Sequence, residues 1–257
     1  MLELEMANTG KVLVIGHRGA MGYAPENTLS SFRKAVELGA DLIEFDIHLS
    51  ADGHIIVIHD CSVERTTDGL GDVSAMTLNE IRNLDAGSHF GPEFQGEKIP
   101  TLEEVLRWSG GRIPLVIEIK GEPEPEPGIE EKLIEVLHSY RMLEQSMVIS
   151  FFHPSVGRIK EIEPKAHTGI LFSSGLIDAV GAAREVHADS VRPSWTYWNL
   201  DLVRKVHEAG LAASVWTVND EDIMRSMINI GIDSIATNYP DKLRSLLDGP
   251  TRIGASS

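Results

Sequence analysis

Residues 12–49 read VLVIGHRGAMGYAPENTLSSFRKAVELGADLIEFDIHL. The run Val12–Ile15 is short and apolar, the pattern of a buried strand. Asn27 stands where a helix N-cap belongs. Leu29, Phe32, Ala35 and Val36 then recur at helical spacing as the inner face of a helix that ends near Gly39. Leu42–Leu49 reads as the next strand. Strand, helix and strand in this order form one β/α unit, and the unit recurs down the chain.

Further strands are expected at Pro114–Lys120, Met147–Phe152, His167–Phe172, Ser190–Arg192, Ala213–Thr217 and Ser234–Thr237. Helical periodicity falls at Thr101–Trp108, Ile129–Tyr140, Ser155–Glu163, Leu176–Val186, Leu200–Ala209 and Asp220–Ile230. Such alternation means parallel strands joined by helical crossovers. Eight units in 257 residues suit a closed (β/α)8 TIM barrel. An open doubly wound sheet is the competitor, but no Gly-x-Gly-x-x-Gly turn follows the first strand. One barrel domain is expected to span residues 1–257.

Two segments break the rhythm. Ser50-Ala51-Asp52-Gly53 is a turn signal, and His54–Ile58 after it reads as a strand, so a β-hairpin is expected after strand 2. Residues 60–100, rich in Gly, Thr and Asp, are long for a barrel loop and are expected to form a small inserted segment over the barrel mouth. Gly121–Gly128 (GEPEPEPG) reads as a stiff, solvated loop.

Lys and Arg number 23 against 39 Asp and Glu, a formal net charge of -16. That balance argues against nucleic-acid binding and against stable association with an anionic membrane. The one cysteine, Cys61, excludes a disulfide framework within the chain. The acidic N-terminal stretch lacks the apolar core of a signal peptide, and no apolar run is long enough to span a bilayer, so a cytoplasmic location is expected.

Barrel active sites lie at the C-terminal ends of the strands. The first strand runs into Gly16-His17-Arg18-Gly19, a proton carrier beside a fixed positive fork. On the second, Glu44, Asp46 and His48 alternate with Ile43, Phe45 and Ile47, so the three polar residues share a face. Two adjacent carboxylates on an apolar strand are costly unless a cation or a proton neutralises them, and a barrel strand has no free edge to expose them. Glu118 and Lys120 repeat the device opposite Ile117 and Ile119. Three carboxylates suit a hard cation, Mg²⁺ or Ca²⁺, although a carboxylate–lysine ion pair would also fill the mouth. A hairpin turning at Asp52-Gly53 brings His59 back to roughly the level of Glu44, facing the same pocket as His17. Two histidines flanking a bound cation could act as general acid and general base. Phe151 and Trp216, at later strand ends, are either core or the wall of a ligand pocket.

These residues resemble a known family. His17-Arg18-Gly19 followed by Pro25-Glu26-Asn27-Thr28 looks like the opening signature of the glycerophosphodiester phosphodiesterases. Glu44-Phe45-Asp46, Asp52-Gly53, His59-Asp60, Arg65-Thr66-Thr67-Asp68-Gly69, Ile99-Pro100-Thr101-Leu102, Glu118-Ile119-Lys120, Trp216-Thr217 and Thr237-Asn238 continue it in order. The resemblance implies a (β/α)8 barrel, a divalent cation, and hydrolysis of small-molecule glycerophosphodiesters to an alcohol and glycerol 3-phosphate. By the same resemblance Glu44, Asp46 and Glu118 hold the metal, His17 and His59 are the acid–base pair, Arg18 and Lys120 bind phosphate oxygens, and Trp216 walls the pocket. Analogy with phospholipases of similar architecture makes His17 the base and His59 the acid. The nucleophile is left open between water and a neighbouring glycerol hydroxyl.

Two rivals remain at this stage. A lysophospholipase D or sphingomyelinase D type of phosphodiesterase would be expected to carry an apolar loop at the mouth, where this chain has a mostly polar insertion and an anionic Glu-Pro loop. A non-catalytic phosphate-binding barrel would be expected to lack one of the histidines or carboxylates. Arg65, Thr66, Thr67 and Asp68 of the insertion carry charges and hydroxyls of the kind that recognise a polyol.

Overall fold

Strand β1 (Leu13–Gly16) pairs in parallel with β2 (Leu42–Leu49) on one side and with β9 (Ser234–Thr237) on the other, and so closes the sheet into a barrel. The computed structural model describes residues 11–121 and 123–249. The ring continues from β2 through β4 (Leu115–Ile119), β5 (Ser146–Ser150), β6 (His167–Phe172), β7 (Ser190–Pro193) and β8 (Ala212–Val215) to β9, every pairing parallel. The expected hairpin is present: β3 (Ile55–Val57) runs antiparallel to β2 with Ile47 opposite Val57 and Leu49 opposite Ile55.

Helices α1 (Leu29–Glu37), α3 (Leu102–Ser109), α4 (Ile129–Ser139), α5 (His153–Ile162), α6 (Ala179–Glu185), α7 (Leu200–Glu208), α8 (Glu221–Ile230) and α9 (Pro240–Asp248) join the strands, and α2 (Leu78–Asn83) lies inside the insertion. Alternation sorts each strand's side chains between two layers. Leu13, Ile15, Leu42, Val116, Met147, Ile149, Leu171 and Ala236 fill the barrel interior. Ile43, Phe45, Ile47, Leu115, Ile117 and Ile119 face outward, where they pack with residues of α1, α3 and α4. Phe32 of α1 lies between Phe45 and Trp108, with ring centroids 5.6 and 5.8 Å away.

Three local expectations are corrected. Thr28, not Asn27, caps α1: its hydroxyl accepts from the Ser31 amide, while Asn27 is left-handed at φ 58° and buried. Val36 lies on the outer side of α1, 44% exposed, because the buried stripe runs through Ser31, Phe32 and Ala35. Helix α6 starts at Ala179, where Asp178 caps it, and leaves Leu176 and Ile177 exposed in the preceding loop.

The insertion between β3 and α3 builds its own small core. Val63, Val73, Ile81, Ala86 and Ile99 pack with Ile56 of β3 and with Ile58 just after it. The polyol-binding expectation for its first turn is not met. Arg65 is taken up by Glu26 and Asp60, Thr66 is buried, Thr67 donates to the Val63 carbonyl, and Asp68 accepts from the Asp85 amide. No helix among the described residues is long and apolar enough to cross a membrane.

Phe45 is fully buried between barrel and helices. Phe45→Ala is expected to cost about 3–5 kcal/mol, the usual range for emptying such a site. Urea unfolding measures it, and a loss below about 1 kcal/mol, typical of an ordinary surface change, would show that the layer closes over the gap.

Candidate active site

Alternation along β2 and β4 carries Glu44, Asp46 and Glu118 inward, and the parallel register sets Asp46 beside Glu118. All three are buried, and one oxygen from each lies within 4.8 Å of the others. Burial, followed by the charges of Asp46 and Glu118, pushes Glu44 well above the usual carboxylate range. Burial and Asp46 push Glu118 up to about 7. Asp46 goes the other way: burial opposes its ionisation, but Arg18 and Lys120 outweigh burial and hold it low. A cluster of oxygen donors that must share protons to coexist has the donor chemistry that a hard divalent cation requires.

The turn after β1 is tightly built. Arg18 is left-handed at φ 49°, and a Cβ on Gly19, at φ 84°, would collide with Ser31. This uncommon backbone directs the Arg18 amide to Glu44 Oε2 at 2.8 Å. The guanidinium lies 3.3 Å from Asp46 Oδ2 and 2.8 Å from Glu26 Oε1. Asn27, also left-handed, donates its side-chain amide to Asp46 Oδ2 at 2.9 Å.

The two histidines stand in different surroundings. His17 Nδ1 is 2.8 Å from Asn238 Oδ1, an acceptor, so Nδ1–H donates and Nε2 is left as the acceptor, 3.4 Å from the Thr217 hydroxyl. Burial, helped by Arg18, lowers His17 from 6.5 to about 4. His59 Nδ1–H donates to Asp60 Oδ1 at 2.6 Å, and Lys120 Nζ lies 3.2 Å from its Nε2. Burial lowers His59 as well, with Asp46 pulling it back up. Asp60 is held well below the usual range, first by its hydrogen bonds from Arg65, at 2.7 and 2.9 Å. Arg65 also clasps Glu26 through two bonds of 2.8 Å, which links the insertion to Arg18.

Lys120 pairs with Glu118 at 2.8 Å and lies 5.8 Å from the centroid of the Phe151 ring. Phe151 meets Trp216 edge to face at 5.1 Å, and the Trp216 indole N–H is fixed on the Arg192 carbonyl at 2.7 Å. A cavity of about 110 Å³ lies among these groups, walled by His17, Arg18, Glu118, Lys120, Phe151 and Trp216, with His59 at its side. All nine candidate residues from the sequence therefore meet at one end of the barrel. His48 does not join the carboxylates: its ring turns to Glu126 and to the His59 carbonyl. Asn27, read from sequence only as a helix cap, joins the site with Asn238, Thr217, Glu26 and Arg192, to which sequence alone gave no role. Their signal was placement, since four of them sit inside the quoted motifs and Arg192 ends a strand.

Residues 17–242 match the glycerophosphoryl diester phosphodiesterase family. A glycerophosphodiester phosphodiesterase of Caldanaerobacter subterraneus subsp. tengcongensis is 43% identical over 92% of this chain and 98% of its own. One from Bacillus subtilis is 35% identical over 93% and 87% of the two chains. Among solved structures, an Oleispira antarctica phosphodiesterase in complex with the product sn-glycerol-3-phosphate superposes with a TM-score of 0.85 at 31% identity, covering 95% of this chain and 99% of that one. With the match running from His17 of the first barrel turn to the start of the last helix, the chain belongs to the glycerophosphoryl diester phosphodiesterase family.

Proposed function

We propose that Glu44, Asp46 and Glu118 hold a divalent cation, Mg²⁺ or Ca²⁺, and that His17 and His59 move the protons as glycerophosphodiesters are hydrolysed to an alcohol and sn-glycerol 3-phosphate. The observation that carries this reading is one cavity lined by two differently held histidines and by Glu44 and Glu118, with Asp46 clustered beside those carboxylates. The product bound by the Oleispira relative has the phosphate and hydroxyls that such a charged, hydrogen-bonding cavity suits. When bound, the cation supplies positive charge for the phosphate oxygens and for the negative charge that grows on them.

Arg18 and Lys120 add fixed charge on either side of the carboxylates and bind the remaining phosphate oxygens. Phe151 and Trp216 wall the cavity and limit how the glycerol can lie. His17 is neutral at physiological pH and presents its Nε2 lone pair to the cavity, so it removes the proton from the attacking hydroxyl. That hydroxyl is either that of water, giving glycerol 3-phosphate directly, or that of the adjacent glycerol carbon, giving a cyclic phosphate that water then opens to glycerol 3-phosphate. His59 leans on the Asp60 carboxylate, which stabilises its protonated form, so it delivers a proton from Nε2 to the leaving alkoxide as the P–O bond breaks.

Each of His17→Ala and His59→Ala is expected to lower kcat by roughly 10²–10⁴-fold, the range for losing a general acid or base. A coupled assay for glycerol 3-phosphate reads the loss. Near-normal turnover in either variant would remove that histidine from the reaction.

The cation and protons compete for the same oxygens. Glu118 is raised to about 7 and takes up a proton as the pH falls below that region, and burial with the neighbouring carboxylates raises Glu44 too. Cation affinity is therefore expected to weaken between about pH 8 and about pH 6, with protons released on binding. Calorimetric titration with Mg²⁺ or Ca²⁺ in buffers of different ionisation enthalpy measures both. A pH-independent affinity without proton release would place the cation elsewhere.

A further inference from the structure

His48 and the Glu-Pro loop lie far apart in the chain, yet they meet. His48 is 2% exposed at the inner end of β2. Its Nδ1 lies 2.7 Å from Glu126 Oε1, a contact across 78 residues. Its Nε2–H donates to the carbonyl oxygen of His59 at 3.2 Å. Neither contact is needed to close the barrel. The β2–β3 ladder is already complete at Ile58, whose amide donates to the Asp46 carbonyl at 3.1 Å.

Beyond Ile58 the chain leaves the sheet, so the His59 backbone has lost the ladder that aligned the residues before it. The side chain is aimed by Asp60, and Asp60 by Arg65. That clamp fixes the ring relative to its own neighbour and leaves the backbone beneath it to be held by something else. The buried His48 ring supplies that hold, and it can serve only while its own tilt is fixed. Glu126 fixes it from the loop between β4 and α4. Prolines at 123, 125 and 127 stiffen that loop, and the Ile129 amide bonds the Glu126 carbonyl at 3.2 Å.

We propose that Glu126 and His48 are positioning residues for proton delivery: the loop carboxylate sets the His48 ring, and the ring holds the backbone of His59 so that its Nε2 stays aimed at the leaving oxygen. This rests on the reading of His59 as the general acid. Neither residue touches the substrate cavity, whose lining includes His59 but not His48 or Glu126. Their effect should then follow the need for a proton at the leaving group, and nothing else. An alkoxide needs that proton. A nitrophenolate, stable as an anion, does not.

The test compares glycerophosphocholine with the 4-nitrophenyl ester of glycerol 3-phosphate, which shares the glycerol phosphate and differs in the leaving group. Glu126→Ala, on a solvent-facing loop, should lower kcat on glycerophosphocholine by roughly tenfold, the lower part of what acid–base groups contribute. KM and the cation titration should be unchanged, and turnover of the nitrophenyl ester should stay within about twofold. Glu126→Gln, which keeps an oxygen acceptor for the His48 ring, should restore most of the loss. In a His48→Gln background the Glu126→Ala change should have no further effect, because the two act as one unit. His59→Ala is run in parallel. If it too spares the nitrophenyl ester while Glu126→Ala slows both substrates equally or neither, His59 is the acid and the positioning role is wrong. If His59→Ala slows both substrates equally, the acid assignment falls and the proposal falls with it.

Discussion

Three carboxylates confined to the mouth of a barrel repel one another, and much of the mouth is organised around containing that repulsion. Their oxygens lie within 4.8 Å in a setting from which water is largely excluded. At such separations like charges interact strongly unless opposite charge is brought close. Arg18 reaches Asp46, Lys120 reaches Glu118, and the Arg18 amide and the Asn27 side chain donate to Glu44 and Asp46. The left-handed backbone at residues 18 and 27 makes sense in this light, because it turns those donors inward. Even so, Glu44 and Glu118 remain raised, which leaves the cluster short of positive charge. A site that is poor at holding its own negative charge is a good receiver for a cation.

Residues related by strand alternation were legible from the sequence. Period two along β2 put Glu44 and Asp46 inside and Ile43, Phe45 and Ile47 outside, and the same rule on β4 supplied Glu118 and Lys120. Alternation buried the histidine at 48 but did not name its partners, because they come from the Glu-Pro loop and from the residue after β3. Contacts between distant elements were not legible. Asn238 meets His17 across 221 residues, and Glu126 meets His48 across 78, with no local periodicity to announce either. Asn27 was misread for a related reason. Asn is a good N-cap and also tolerates a left-handed backbone, and only the location of Asp46 decides which property is used.

The insertion illustrates how polar sequence can mislead about function. Arg65, Thr66, Thr67 and Asp68 have the chemistry of a polyol site, but the fold uses them to fasten the segment. Arg65 alone makes four hydrogen bonds, two to Glu26 and two to Asp60. Glu26 in turn holds Arg18, and Asp60 holds His59. One guanidinium at the edge of the insertion therefore couples Arg18 to His59. The segment also has its own apolar core, which includes Ile81 and Val63. Its contribution to the mouth is mechanical support, and the cavity wall itself comes from barrel strands and the residues that follow them.

The two histidines differ in what each ring leans on. Asn238 offers His17 a neutral oxygen, which fixes the tautomer without rewarding a positive charge, and burial beside Arg18 then discourages protonation. Asp60 offers His59 a carboxylate, which fixes the same tautomer and does reward a positive charge. Amide against carboxylate is thus one difference between the two imidazoles, beside their burial and the Lys120 charge at His59. The carboxylate would be of little use if it protonated itself, and the hydrogen bonds from Arg65 keep it ionised. For the proposed roles, the neutral partner suits His17 as base and the carboxylate suits His59 as acid, against a burial that lowers both rings. The asymmetry is built from residues 26, 60, 65 and 238, none of which needs to touch the phosphodiester.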